Sequence, residues 1–168
     1  MKATPIVGDR LVLEPLSVSH ADDMVSVLAA DSLYEFTGGE PPTLAALQER
    51  YGYQVAGSLT EGELWCNWII RTKADSRAVG FVQATVIGDT ADVAWVIGVD
   101  DQGRGVATEA AAAMCEWLAL QGVRHVTAHI HPRHHASQAV AAHLGLVGTG
   151  TFDDDGEELW TEPGAVAD

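Results

Sequence analysis

Apolar and polar positions along the 168-residue chain change their period several times, and each change marks an element. Arg10-Leu-Val-Leu-Glu-Pro-Leu16 alternates with period two, as a half-buried strand does. Ser19 is then placed to cap a helix running to about Ala30. The turn-forming run Phe36-Thr-Gly-Gly-Glu-Pro-Pro42 separates it from a second helix, capped by Thr43 and ending near Gln54. Leu64–Arg71, Ala78–Val86 and Ala91–Val99 are rich in β-branched and aromatic residues and read as strands. An alanine-rich helix follows over about Gly105–Gln121, with Gly122 positioned to end it. Arg124–His131 reads as a strand, His135–Leu144 as a helix, and Thr149–Phe152 with Glu157–Thr161 as a closing hairpin. This mixed order predicts an α+β (α/β-like) fold, one sheet covered by about four helices. No repeat or linker interrupts it, so one domain over 1–163 and a tail over 164–168 are expected.

Composition narrows the functions open to such a chain. Apolar residues make up 47% and charged residues 20%, which supports a core and excludes an acidic disordered tail as the main reading. The apolar run Val106–Leu120 is broken by Thr108, Glu109 and Glu116, short of the roughly 20 residues that span a bilayer. Met1-Lys-Ala-Thr-Pro5 lacks the apolar segment of a secretory signal. Cys66 and Cys115 sit in apolar surroundings and read as reduced core thiols, so a cytoplasmic location is expected. Net charge is −15, from 24 acidic against nine basic residues, which argues against nucleic-acid binding. It suits a cationic substrate within a Debye length of about 8 Å, and equally suits solubility alone. A polyanionic ligand would have to be held by local geometry against this field.

Such geometry is legible at Asp101-Gln-Gly-Arg-Gly-Val-Ala-Thr108. A strand ends, two glycines let the backbone turn, and a helix begins at once. Free N–H groups at the helix start, reinforced by the helix dipole, form an anion site. Glycine there leaves no Cβ to keep a phosphate from the backbone. The run lacks the Gly-Lys-Ser/Thr ending of a nucleotide-hydrolysing loop and the third glycine of a dinucleotide fingerprint.

Gln102-x-x-Gly105-x-Ala107 resembles the Gln/Arg-x-x-Gly-x-Gly/Ala motif of the GNAT acetyltransferases, and Thr108-Glu-Ala110 resembles its continuation in the Rim-type ribosomal-protein acetyltransferases. Asp92-Val-Ala-Trp-Val-Ile97 is similar to the strand before that motif. His131-Pro-Arg-His-His-Ala-Ser137 is similar to a Pro-x-Asn-x-Ala-Ser segment, and Ala141-Ala-His-Leu-Gly-Leu146 to a terminal Leu-Gly-Phe helix. The likeness runs in order from about Arg10 to Trp160.

The resemblance implies a GNAT fold, with a mostly antiparallel sheet splayed at a site for acetyl-CoA. It implies that Gln102, Gly103, Arg104, Gly105, Val106, Ala107 and Thr108 hold the pyrophosphate, and that the main chain near Val96 and Ile97 pairs with pantetheine and polarises the thioester carbonyl. Asp92 stands where many Rim-type relatives carry Glu, and is expected to act as a base through water. Ser137 aligns with a serine near the sulfur and is expected as acid and cofactor contact. Ala141 replaces the tyrosine acid of many relatives, and His134 replaces the usual Asn beside the cofactor, adding a group that titrates near neutrality.

For the acceptor, Glu35 and Glu40 stand in the segment after the first helix, either to hold an ammonium or as solvated loop carboxylates. Trp65 and Trp68 fall on opposite faces of a strand. One belongs to the core, and Trp68 is put forward for the acceptor cleft. Six histidines lie between His125 and His143, but zinc needs three or four converging ligands and no Cys is near, so no metal is expected. The implied activity is N-acetyl transfer from acetyl-CoA to a small-molecule amine or a protein N-terminus. Open alternatives are a catalytically idle acyl-CoA sensor and an interaction protein without CoA. A homodimer is compatible with the family.

Overall fold

The computed structural model describes residues 1–164, so the expected tail lies, from residue 165 on, outside the described residues. The elements are β1 (Ile6–Val7), β2 (Leu11–Pro15), α1 (Ala21–Val27), α2 (Leu44–Ala56), β3 (Glu63–Thr72), β4 (Ala78–Ile87), β5 (Thr90–Ile97), α3 (Val106–Leu120), β6 (His125–Ile130), α4 (His135–His143), β7 (Val147–Phe152) and β8 (Glu158–Thr161). The strands form one sheet in the order β1-β2-β3-β4-β5-β6-β8-β7. Every pairing is antiparallel except β5 with β6.

Strand alternation sends successive side chains to opposite faces, and helices cover both. On one face Cys66, Trp68 and Ile70 of β3 join Val82, Ala84 and Val86 of β4 against Ala110, Met114 and Leu118 of α3. On the other, Ile69 joins Met24 and Leu28 of the first helical segment and Leu47 and Tyr51 of α2, with Phe81 and Val96 packed alongside. The N-terminal segment is tied to the first face. Thr4 accepts from Trp68 Nε1 through its carbonyl (2.8 Å) and from Trp117 Nε1 through its hydroxyl (2.9 Å). The two indoles meet edge to face with centroids 5.1 Å apart.

The helix expected from Ser19 to Ala30 is shorter. Ser17 precedes a single 3-10 turn, Val18–His20, and its backbone N–H donates to His20 Nδ1 at 3.0 Å. The α-helix begins only at Ala21 and ends at Val27. Thr43 caps α2 as expected, accepting from Ala46 N at 3.2 Å. The strand expected to reach Val99 stops at Ile97, because Gly98 donates to Val79 O and the chain turns into a 3-10 segment, Val99–Asp101. Gly122 (φ 96°) ends α3, with Val123 N returning to Leu118 O.

Candidate active site

β5 pairs with β4 along its whole length, from Ile87↔Thr90 to Gly80↔Ile97. With β6 it pairs at only three positions, Thr90↔His125, Ala91↔Val126 and Asp92↔Thr127. Beyond them β6 turns to β8 alone. The sheet therefore opens into a wedge along Val93–Ile97, whose outward main-chain groups lack a strand partner. Unpaired strand groups of this kind are completed by water or by an extended ligand. Gln102 fixes the end of the edge by donating from Nε2 to Ile97 O at 3.0 Å.

The wedge opens toward the glycine loop. Gly103 (φ 72°) and Gly105 (φ 75°) both take the left-handed conformation, and Gly105 stands at the N-cap of α3. Among the described residues, the six successive N–H groups of Gly103 to Thr108 find no acceptor in the protein. Neutral, converging donors at a helix start hold an anion without a lysine.

The local charge also differs from the global one. Asp101, just before the loop, has a side chain only 5% exposed and is paired twice by Arg77, at 2.8 Å from each oxygen. Arg77 holds its carboxyl below the usual carboxylate range, offsetting the desolvation that opposes this. Arg104 lies 3.7 Å from the same carboxylate. Arg10 reaches Arg104 O with one guanidinium nitrogen and Glu109 with another, at 3.1 and 2.7 Å. Three arginines thus surround a loop in a chain that has nine basic residues in all.

At the closed end of the wedge stands Asp92. Its Oδ1 accepts from Thr127 Oγ1 at 3.0 Å and lies 3.2 Å from His129 Nδ1. His129 is two residues beyond Thr127 on the same face, where the strands have begun to part. A ring whose Nδ1–H faces a carboxylate presents Nε2 as a lone pair, the arrangement of an oriented base. The sequence alone marks His129 only as one of the six histidines between His125 and His143. Its pairing depends on the parallel register between strands 35 residues apart, which periodicity does not carry.

His134 is at the N-cap of α4, with Phe36 stacked against it (centroids 4.7 Å) and against His131 (5.1 Å). Burial, then the neighbouring His131, holds its pKa below 6.5, against the opposing pull of Glu35. The unfolded chain therefore binds this proton more readily below about pH 6.5, so stability falls as pH drops from there toward the folded pKa. We expect His134→Asn to flatten the melting temperature of the protein between about pH 7 and pH 5. An identical pH slope in the variant would show that His134 does not carry it.

The remaining expectations separate. The Ser137 hydroxyl is half-buried in the first turn of α4, without a hydrogen bond among the described residues. Ala141 is fully buried in the core. Glu35 comes close enough to act on His134, whereas Glu40 is exposed in its loop. Trp68, put forward for the acceptor cleft, borders a cavity between α2 and strands β3 and β4 but not with its ring. Its indole is fully buried on the α3 face, bonded to Thr4, and leaves no side-chain surface for a ligand. Trp65 is the one on the α1–α2 face, where its ring meets Tyr53 of α2 at 5.1 Å. Among the described residues no three His, Cys, Asp or Glu side chains converge as metal ligands, and no helix is long and apolar enough to cross a membrane.

Residues 10–147 match the acetyltransferase (GNAT) domain family. The chain belongs to that family and is an acyltransferase by membership. No curated protein matches it in sequence. Among solved structures, a GNAT-family acetyltransferase from Bacillus anthracis superposes with a TM-score of 0.78 at 15% identity, covering 94% of this chain and 97% of that one. A Vibrio cholerae protein, described as a candidate ribosomal-protein-serine acetyltransferase, gives 0.74 at 15%, over 94% and 96% of the two chains. The aminoglycoside acetyltransferase AAC(6')-Ib, solved with ribostamycin and coenzyme A, gives 0.75 at 18%, over 91% and 92%. At these identities the likeness is one of fold.

Proposed function

We propose that this protein transfers an acetyl group from acetyl-CoA to a primary amine by direct attack on the thioester. The observation that carries the reading is the alignment of the wedge between β5 and β6 with six N–H groups at its open end that have no partner among the described residues. The Gly103–Thr108 amides take the pyrophosphate, with Gln102 and Arg104 supporting the loop. The free edge of β5 at Val96 and Ile97 takes the pantetheine. A main-chain N–H there faces the carbonyl oxygen on which negative charge builds.

The amine nitrogen forms the new C–N bond, the C–S bond breaks, and CoA leaves as a thiolate that takes a proton from solvent or the Ser137 hydroxyl. His129 Nε2 removes the amine's proton, directly or through one water, and Asp92 orients the ring and stabilises its charged form. His134 borders the cofactor from the start of α4. Removing a general base costs about 10²–10⁴ in rate. His129→Asn and Asp92→Asn are expected to lower kcat by about 10²-fold, with acetyl-CoA affinity kept. Thiol release and calorimetry measure both, and wild-type kcat in both variants would remove the pair from the mechanism.

A cytoplasmic site of action is supported by the two free cysteines, Cys66 and Cys115, whose thiol pKa values burial raises, that of Cys115 to about 11. The second reading, an acyl-CoA sensor, is favoured by the buried Ala141 where relatives place a tyrosine acid. Binding of acetyl-CoA without thiol release across a panel of amines would select it.

A further inference from the structure

On the α1–α2 face, between α2 and strands β3 and β4, lies a cavity of about 100 Å³. Its polar lining is Arg50, Tyr51 and Gln54 from α2, Asn67 from β3 and Gln83 from β4. The walls between them are apolar, from residues such as Leu28 and Phe81. Not one lining residue is acidic, in a chain with 24 acidic residues. Tyr51 is 4% exposed, and its buried hydroxyl has no hydrogen-bond partner among the described residues. Burial pushes that hydroxyl up to about 12, so it is a neutral donor at any physiological pH. Among the described residues Arg50 makes no ion pair and no side-chain hydrogen bond.

The cavity and the proton-accepting pair share a face of the sheet. Asn67 pairs with Gln83 across β3 and β4, and Gln83 pairs with Ala94 across β4 and β5. Ala94 lies on the free edge of β5, one step toward the wedge mouth from Asp92. Strands are spaced about 4.8 Å apart, so Gln83 lies about 5 Å from Ala94, with the widening gap to His129 beyond it. An extended chain of about three residues reaches about 10 Å, from Gln83 across β5 into that gap.

We infer that this cavity receives the far end of the acceptor and that this end is a carboxylate, which makes the acceptor a small amino-acid-type or short-peptide amine. This rests on the transferase reading above. A carboxylate meets one guanidinium, three carboxamides and an unpartnered phenol, and each of these can donate to it. An ammonium would instead face Arg50 with no acidic side chain in the lining to offset it. The global charge of −15 acts against the choice, but it is screened over about 8 Å while the lining is in contact. The volume is about three times a water's share of the liquid, room for a carboxylate and its adjoining methylene.

Three amines of similar length separate the possibilities: triglycine, triglycinamide as a stand-in for a protein N-terminus, and spermidine. Each is titrated calorimetrically into the CoA-loaded protein, and thiol release is followed in parallel with acetyl-CoA. Triglycine is expected to bind about tenfold or more tightly than the other two, with kcat/KM in the same order. Arg50→Gln, on the exposed side of α2, is expected to remove that preference, and Tyr51→Phe to weaken it without lowering the melting temperature. Equal or tighter binding of triglycinamide or spermidine, no binding of any of the three, or a preference untouched by Arg50→Gln overturns the assignment. Arg50-dependent binding of triglycine without thiol release upholds the cavity and strikes the transferase reading instead. Faster turnover of spermidine does the reverse.

Discussion

Replacing Gly105 with aspartate is expected to raise the dissociation constant for acetyl-CoA by about a hundredfold, which is about 2.7 kcal/mol, without lowering the melting temperature. The two effects have separate causes. Gly105 has φ 75°, and aspartate tolerates the left-handed conformation better than most residues. A Cβ there finds Arg10 Nη2 nearest, at 3.5 Å, an ordinary contact. The new carboxylate sits at the N-cap of α3, accepts from the amides of the first turn, and contributes about 0.5–1 kcal/mol to the helix. It thereby occupies the place a phosphate would take and adds a repelling charge. Calorimetry gives the affinity and thermal unfolding the stability, with Gly105→Asn as the uncharged control. Unchanged affinity in the aspartate variant would mean that the loop does not bind the anion.

Gly80→Ala is the second large effect, and its origin is steric. A Cβ at Gly80 collides with the carbonyl oxygen of Val96 and comes within 3.0 Å of Ile97 Cα. Both are backbone atoms of β5, which cannot rotate away as a side chain would. Overpacking of this kind costs about 3 kcal/mol, and in a domain of this size lowers the melting temperature by about 6–12 °C. Because the displaced atoms belong to β5, the strand whose other side is the free edge of the wedge, acetyl-CoA affinity is expected to fall with stability. A melting temperature within 2 °C of wild type, the resolution of such a comparison at about 1 kcal/mol, would show that the two strands accommodate the methyl group.

Elements set by local chemistry are legible in the sequence. The Thr43 cap, the helix after Gly105 and the glycine stop at Gly122 all depend on residues a few positions apart. The ends of the first helix are not, because His20, rather than Ser19, completes the turn after Ser17. The two-residue β1 is too short to show a period. Trp68 marks a different limit. Trp68, Ile69 and Ile70 are all buried, since both faces of β3 are covered, so alternation separates the faces without saying which has room for a ligand. Within the candidate site, the glycine turn before α3 is legible from the residues themselves, whereas Asp92 is singled out only through the family resemblance. The partners that define their chemistry, Arg77 for Asp101 and His129 for Asp92, arrive from 24 and 37 residues away through strand register.

The three residue pairs that join β5 to β6 also bear on how the molecule behaves as a body. Hydrogen bonding divides the eight strands into a block of five and a block of three, stitched at one end and gaping at the other. On the proposed reading, a chain-like substrate laid along the gap would serve as the missing rung of the ladder, bonding to the first block while its phosphates rest on the cap of α3. Loading the donor would then also stiffen the scaffold, and release of spent CoA would hand that rigidity back before the next cycle.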